Sequence, residues 1–348
     1  MIKLNYDIIL TILLISIVLN FILSKFKLFK SKNFAVQIQD IHTGNPSRLG
    51  GVVIYIVFLG YIFLSQNYYF NIWYYSLIIL LPAFLEDIRV PVKPLLRFIA
   101  ILGASFLIIT NFSELPKFEF GFFNDLVNNR VFQVIFYSLA MATVINGQNI
   151  IDGTNGLSAF TSLAIFSSIL FLGFYLDDQR IVDTTLPIIT LILAFLFFNY
   201  PYGKIFLGDG GSYFLGMLAS YLVIKIFAQY PKLPTWSAVS ILFYPTLEVL
   251  FSYFRKIFQK KSPFFPDNLH LHLKIFYLLS YHRRKTILYN ALVAPFLGVV
   301  WLSPLALLPF SLQYPHWSLL CLIGLICIYL FFYFAIPNPN LKASINLE

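Results

Sequence analysis

Charge is what this chain has least of. Only 11% of its 348 residues are Asp, Glu, Lys or Arg, against 59% hydrophobic, whereas a soluble domain carries about 25% charged residues. That scarcity excludes a water-soluble globular protein. The apolar runs are too many and too evenly spread for one anchor plus a soluble domain. Cysteine is almost missing as well. Cys321 and Cys327 both fall in the last apolar run, so they offer neither a disulfide framework nor metal-ligand spacing. The first apolar run, 8–22, lacks a small-residue cleavage site and is followed at once by lysines, which reads as a retained span rather than a signal peptide. There is no internal repeat, no low-complexity tail and no stretch between runs long enough to fold alone. Residues 1–348 therefore read as a single integral-membrane domain.

What is present is a series of runs near the ~17–25 residues that cross a bilayer. They fall at roughly 7–24, 49–65, 71–85, 95–111, 131–147, 157–176, 184–200, 211–229, 235–254, 286–309 and 316–336. The expected fold is an all-α polytopic membrane protein of about eleven transmembrane helices. Lys and Arg accumulate on the cytoplasmic side of membranes. With the N-terminus outside and the C-terminus cytoplasmic, all but six of the 24 Lys and Arg lie inside. The exceptions are Lys3, Lys117, Arg130, Arg180 and Lys232 outside and Lys225 within a span. The net charge of +9 is then a topology signal. Nucleic-acid binding would need a basic soluble face, and there is none.

The same topology sorts the acids. Asp177, Asp178, Asp183, Glu114, Glu119 and Asp125 fall in outer loops and read as solvated. Asp40, Glu86, Asp87, Asp152, Asp209 and Asp267 fall inside, each in a short segment bearing glycine, proline or histidine at a span end. The cytoplasmic loops, about 25–48, 86–94, 148–156, 201–210 and 255–285, are the expected active-site face.

Residues 146–156, N-G-Q-N-I-I-D-G-T-N-G, interrupt two apolar runs. Unsatisfied backbone at membrane depth costs several kcal/mol per group, and an Asp at the bilayer centre costs ~2.5–3.5 kcal/mol. Asp152 therefore belongs at a membrane face. The segment F-L-G-D-G-G-S at 206–212 repeats the device of an Asp beside glycines opening an apolar helix, where free amides and the helix dipole favour a phosphate. Residues 37–51, Q-I-Q-D-I-H-T-G-N-P-S-R-L-G-G, supply His42 and Arg48. Adjacent Glu86 and Asp87 repel unless a cation lies beside them; a salt bridge to Arg89 or Lys93 and a metal site both answer that need. The 255–285 loop holds D-N-L-H-L-H at 267–272 among eight basic residues. Two histidines are weak grounds for zinc, and contact with a phosphorylated ligand fits better. Several carboxylates on one face suit Mg²⁺, which binds through one or two carboxylates plus substrate phosphates.

Taken in chain order, the segments at 37–51, 86–87, 146–156, 206–212 and 267–272 resemble the polyprenyl-phosphate N-acetylhexosamine-1-phosphate transferases of glycosyltransferase family 4. That superfamily includes phospho-MurNAc-pentapeptide translocases and the enzymes that start O-antigen, enterobacterial common antigen and teichoic acid synthesis. The resemblance covers about residues 37–275, and eleven spans with N-out, C-in look more like its O-antigen-initiating branch. It implies transfer of a sugar-1-phosphate from a UDP-sugar to a polyprenyl phosphate with release of UMP, beginning a lipid-linked cell-envelope glycan at the cytoplasmic face of the inner (plasma) membrane. It also implies catalytic roles for Glu86, Asp87, Asp152, His270 and His272, and a substrate-binding role for Asn149, Asn155, Phe206, Arg48 and His42. Asp209 and Asp152 are the implied ligands of Mg²⁺, with Mn²⁺ an alternative. The implied partners are the UDP-sugar, the polyprenyl phosphate lipid and, as an option, a second copy in a homodimer. Glu86 stands where the family has Asp, Asn155 where many members have Asp, and Leu273 replaces a third histidine, which leaves open an altered substrate or an inactive relative. A transporter or flippase is the rival of another class; it would place charge at mid-membrane, where only Lys225 and Glu248 lie. Glu248 itself reads as paired within the bundle.

Overall fold

The computed structural model describes residues 2–26, 46–65, 73–88, 90–117, 124–262, 267–280 and 287–338. Among them the chain is helical, with a single parallel bridge between Ser47 and Ile205 in place of any sheet. The helices are α1 (Tyr6–Phe26), α2 (Gly50–Leu64), α3 (Trp73–Asp87), α4 (Pro94–Thr110), the short α5 (Asn124–Val127), α6 (Arg130–Ile150), α7 (Leu157–Tyr175), α8 (Gln179–Asn199) and α9 (Gly208–Gln229). They continue with α10 (Thr235–Ile241), α11 (Phe243–Phe258), α12 (Leu271–Ser280), α13 (Ile287–Phe296), α14 (Gly298–Ser311) and α15 (Pro315–Ala335). A 3₁₀ turn, Ile151–Gly153, separates α6 from the α7 entry.

Every expected apolar run coincides with a helix or a helix pair. Seven helical stretches among the described residues are long and apolar enough to cross a membrane, and an eighth span forms if α10 and α11 count as one. That pair is bent by 80° at Leu242, which leaves helical geometry at φ −93°, ψ 14°. Helices α2, α3 and α4 have 15, 15 and 17 residues and are shorter than a standard span. The protein is thus an all-helical, multi-pass membrane protein.

Helix α9 is the axis of the bundle. It is buried without interruption from Gly208 to Ile224, and packs against α2, α3, α6, α7 and α10. A helix that is apolar on all sides belongs at the centre. At the other extreme, α1 and α15 keep most of their length on the outside of the bundle. Where α2 crosses α9 the two backbones touch. A Cβ on Gly211 would lie 2.6 Å from the Gly51 Cα, so the Gly50-Gly51 pair locks a helix crossing. A second buried cluster, including Phe243, Tyr244, Leu271, Phe276, Tyr329 and Tyr333, gathers around α11, α12 and α15.

One expectation about the outer loops needs correcting. Asp178 is buried rather than solvated. It caps α8, accepting from the Arg180 amide at 2.9 Å, the Arg180 guanidinium at 2.7 and 3.0 Å, and the Tyr230 hydroxyl at 2.7 Å. A carboxylate at a helix start satisfies otherwise orphaned amides, so a loop charge that looks solvated in sequence holds α8 to α9.

Candidate active site

The loop before α2 is stitched to the loop before α9. The Phe206 amide donates to the Ser47 carbonyl at 2.8 Å, Gly50 to Phe206 at 3.0 Å and Gly51 to Leu207 at 2.9 Å. This pairing carries Arg48 to the mouth of α9. Gly208, with φ +78°, turns the chain into α9 through the left-handed region that favours glycine, and its missing Cβ leaves room for Asp87. Asp87, 1% exposed at the end of α3, then accepts the Asp209 amide at 2.9 Å and the Gly210 amide at 2.8 Å, one on each oxygen. Two amides at the start of α9 are thereby satisfied by a side chain from another helix.

Asp209 itself faces cations. Arg48 Nη2 lies 2.8 Å from Oδ1 and Arg97 Nη1 lies 2.7 Å from Oδ2. Asn149 also donates to Oδ1 at 3.1 Å and to the Ser212 hydroxyl at 3.0 Å. Arg97 reaches Glu86 at 3.0 Å, and Arg48 Nε is 3.4 Å from Asp87. Asp152, half-buried in the 3₁₀ turn, is within electrostatic reach of Arg48, Asp209 and Asp87. Burial works to lower the Arg48 pKa, but Asp209, Asp87, Asp152 and Glu86 together raise it. The structure thus brings Arg48, Glu86, Asp87, Asn149, Asp152 and Asp209 to one place: four carboxylates around the two guanidinium groups of Arg48 and Arg97.

A second polar group lies beside the first. Glu248, 1% exposed inside α11, is hydrogen-bonded to Nδ1 of His270 at 3.0 Å and accepts from the Leu271 amide at 3.1 Å on one oxygen, and from the Tyr329 hydroxyl at 2.9 Å on the other. Asp267 accepts from Arg255 at 3.1 and 3.2 Å and from the Leu269 amide at 3.0 Å, with Lys256 Nζ at 3.7 Å and His270 Nε2 at 3.9 Å. Burial works to raise the Asp267 carboxyl, yet the Leu269 amide, His270, Arg255 and Lys256 hold it below the usual range. His272 is buried behind His270, with ring centroids 5.8 Å apart, and its pKa is pushed down to about 4, chiefly by burial. Its Nε2 sits against Gly153: a Cβ there would be 2.8 Å away. That contact joins the histidine group to the Asp152 turn.

The remaining site residues of the sequence reading are more scattered. Asn155 is 4% exposed; its amide donates to Asn290 at 2.6 Å and its side chain to the Pro201 carbonyl at 2.9 Å. Its Oδ1 is buried without a hydrogen-bond partner among the described residues. Phe206 is half-buried and placed by the backbone pairing with Ser47. His42 and Asp40 lie outside the described residues. Sequence reasoning gave no site role to Arg97, Glu248, Arg255, Tyr329 and Asn199, whose side chain ties the Gly156 amide to the Ile205 carbonyl. One signal was available for Glu248. A carboxylate inside an apolar run is costly enough to demand a partner, and a histidine pair stands nearby in sequence.

Hard oxygen donors suit a magnesium-type ion. No group of three or more possible ligands converges among the described residues. Such an ion needs only one or two carboxylates when substrate phosphates complete its shell. Burial pushes the carboxyls of Glu86 and Asp152 up, and that of Asp87 up to about 7, a cost that a cation beside them would offset, so the donor chemistry fits.

Comparison with known proteins converges on the same reading. Residues 69–227 match the model of glycosyl transferase family 4, a stretch that contains Glu86, Asp87, Asp152 and Asp209. The chain is 26% identical over 256 residues to a probable undecaprenyl-phosphate N-acetylglucosaminyl 1-phosphate transferase of Bacillus subtilis, covering 72% of this chain and 71% of that protein. It is 24% identical over 288 residues to the decaprenyl-phosphate N-acetylglucosaminephosphotransferase of Mycobacterium leprae, covering 72% and 71%. With a phospho-N-acetylmuramoyl-pentapeptide-transferase of Dictyoglomus turgidum it shares 28% identity over 191 residues, covering 53% and 60%. The resemblance carried by the separated loops and these matches agree, and both support the polyprenyl-phosphate N-acetylhexosamine-1-phosphate transferase superfamily.

Proposed function

We propose that this protein transfers a sugar-1-phosphate, of the N-acetylhexosamine type, from a UDP-sugar to a polyprenyl phosphate, and so begins a lipid-linked cell-envelope glycan. An oxygen of the lipid phosphate attacks the phosphorus that bears the sugar. The bond between the two phosphorus atoms' shared oxygen and that phosphorus breaks, and UMP leaves. The observation that carries this reading is the pairing of a carboxylate-rich group with a cation-rich group at the Gly153–His272 contact. Phosphoryl transfer is mostly positioning plus stabilisation of charge on phosphate oxygens, and such a pair divides that work.

Asp209, with Asp152 beside it, is the proposed holder of Mg²⁺, or of Mn²⁺ in its place. When bound, the ion supplies charge stabilisation to the phosphate oxygens. Glu86 steers Arg97, and Asp87 anchors Asp209 by gripping its amide. Arg48 and Arg97, which Asp209 holds at the mouth of α9, are placed to meet the lipid phosphate. His270, Arg255 and Lys256 face the sugar-nucleotide diphosphate. Asn155, with a buried Oδ1 unpaired among the described residues, and Phe206 line the nucleotide side. The short helices α2, α3 and α4 complete eleven spans, with the N-terminus outside and both polar groups on the cytoplasmic face of the plasma membrane.

The experiment is direct. Purified protein, Mg²⁺, polyprenyl phosphate and a panel of UDP-sugars should yield UMP with at least one sugar. Absence of UMP across the panel from folded protein contradicts the assignment.

A further inference from the structure

We propose that Glu248 is the positioning residue for His270: it fixes the ring with Nδ1–H directed into the bundle, so that Nε2 is turned to the loop, toward the phosphates of the sugar nucleotide. The proposal rests on the transferase reading for the identity of that ligand, and on geometry alone for the orientation of the ring.

Glu248 is a carboxylate buried inside an apolar helix, where an uncompensated charge is very costly. Each of its partners is a donor: the Leu271 amide and His270 Nδ1 on Oε1, and the Tyr329 hydroxyl on Oε2. The amide can only donate, and Tyr329 gives its hydroxyl proton to Oε2. An ionised carboxylate accepts only, so Nδ1 of His270 must carry its proton toward Glu248. The Leu271 amide fixes the backbone next to the ring, which leaves the imidazole little freedom to flip. A histidine held by a carboxylate at one nitrogen has the role of the other nitrogen decided for it.

The other nitrogen points to the loop. Nε2 lies 3.9 Å from Asp267 Oδ1, too far for a hydrogen bond. The groups facing His270 are Glu248, Arg255 and Lys256 from α11, Asp267 from the loop, His272 from α12 and Tyr329 from α15. Asp267 is already engaged by Arg255, Lys256 and the Leu269 amide. An arriving diphosphate therefore finds Nε2 on a ring already braced from behind. His272 differs: among the described residues no carboxylate bonds to it, its Nδ1 has no hydrogen-bond partner, and it packs against Gly153. The His-x-His pair thus splits into one braced ring and one packing residue.

The test is ¹⁵N NMR of the full chain, labelled at histidine and held in detergent micelles, with His270 assigned by its loss in His270→Gln. The wild-type ring is expected to show a protonated Nδ1 hydrogen-bonded to a carboxylate. In Glu248→Gln the His270 Nδ1 signal should move away from that of a carboxylate-bonded nitrogen. The KM for the UDP-sugar should rise about tenfold with a smaller change in kcat, and Glu248→Asp should recover part of that loss. A bare Nδ1 on His270 in the wild-type spectrum overturns the proposal whether or not any variant folds. Unchanged His270 signals and KM in folded Glu248→Gln overturn it too. If no UDP-sugar is turned over but the spectra change as expected, the positioning stands and the transferase reading falls.

Discussion

The two polar groups at the loop face are built in opposite ways. Around Asp209, Glu86, Asp87 and Asp209 share two arginines from other segments, with Asp152 within electrostatic reach of Arg48. Around His270 the balance is reversed, with Arg255, Lys256, Lys274 and two histidines against Glu248 and Asp267. The first group is anchored by backbone, through Ser47, Phe206 and the two amides gripped by Asp87. The second is anchored by one buried side chain, Glu248. An acid-rich half suits a divalent ion and a base-rich half suits a diphosphate, which is the division of labour that phosphoryl transfer needs.

The largest expected break in this comparison is at Asp209. Asp209→Asn removes the charge that Arg48 and Arg97 share, and turnover measured as UMP release should fall by ~10²–10³ with the protein still folded. Full turnover would remove Asp209 from the acidic half. Next comes the helix crossing that carries Arg48. Gly51→Val forces a side chain into the α9 backbone and should cost about 1–3 kcal/mol or prevent accumulation, read as a thermal midpoint. Gly103→Ala, at a position with open space, should leave that midpoint in place.

Arg48→Lys and Arg97→Lys keep charge but lose the planar fork. Each should reduce turnover by about tenfold, or ~1.4 kcal/mol in the barrier, with KM for the lipid phosphate rising more than KM for the UDP-sugar. The reverse pattern would exchange the roles of the two halves. The remaining effect is in pH. His272 is depressed from 6.5 to about 4 by burial, so the unfolded chain takes up that proton first as pH falls. Stability should therefore be full above about 6.5 and decline toward 4, by about 3 kcal/mol at most. His272→Gln should flatten that slope in urea or thermal unfolding between pH 7 and 4.5.

How much of this could be read without coordinates differs by level. The helical runs were legible because apolar stretches in lipid have few alternatives to helix. The bend at Leu242 was not, since the 235–254 run is evenly apolar across it. The carboxylates stood out because charge is so rare in this chain. What could not be read was their direction: that Asp87 turns both oxygens onto the amides of Asp209 and Gly210, or that Arg97 reaches across to Asp209 from α4. Glu248 shows the limit best. Its pairing within the bundle was readable from cost alone, but its partner lies 22 residues on, across a loop, and sequence spacing carries no signal for that.

The measurement closest to the central claim follows one phosphorus atom. With a UDP-sugar labelled at the phosphate that bears the sugar, Mg²⁺ and polyprenyl phosphate, the label should move into the lipid fraction together with the sugar, leaving unlabelled UMP. Label recovered in UDP, with sugar alone on the lipid, would mean that the sugar–oxygen bond is broken instead. The division of the site into a phosphate-attacking half and a diphosphate-holding half would then be wrong.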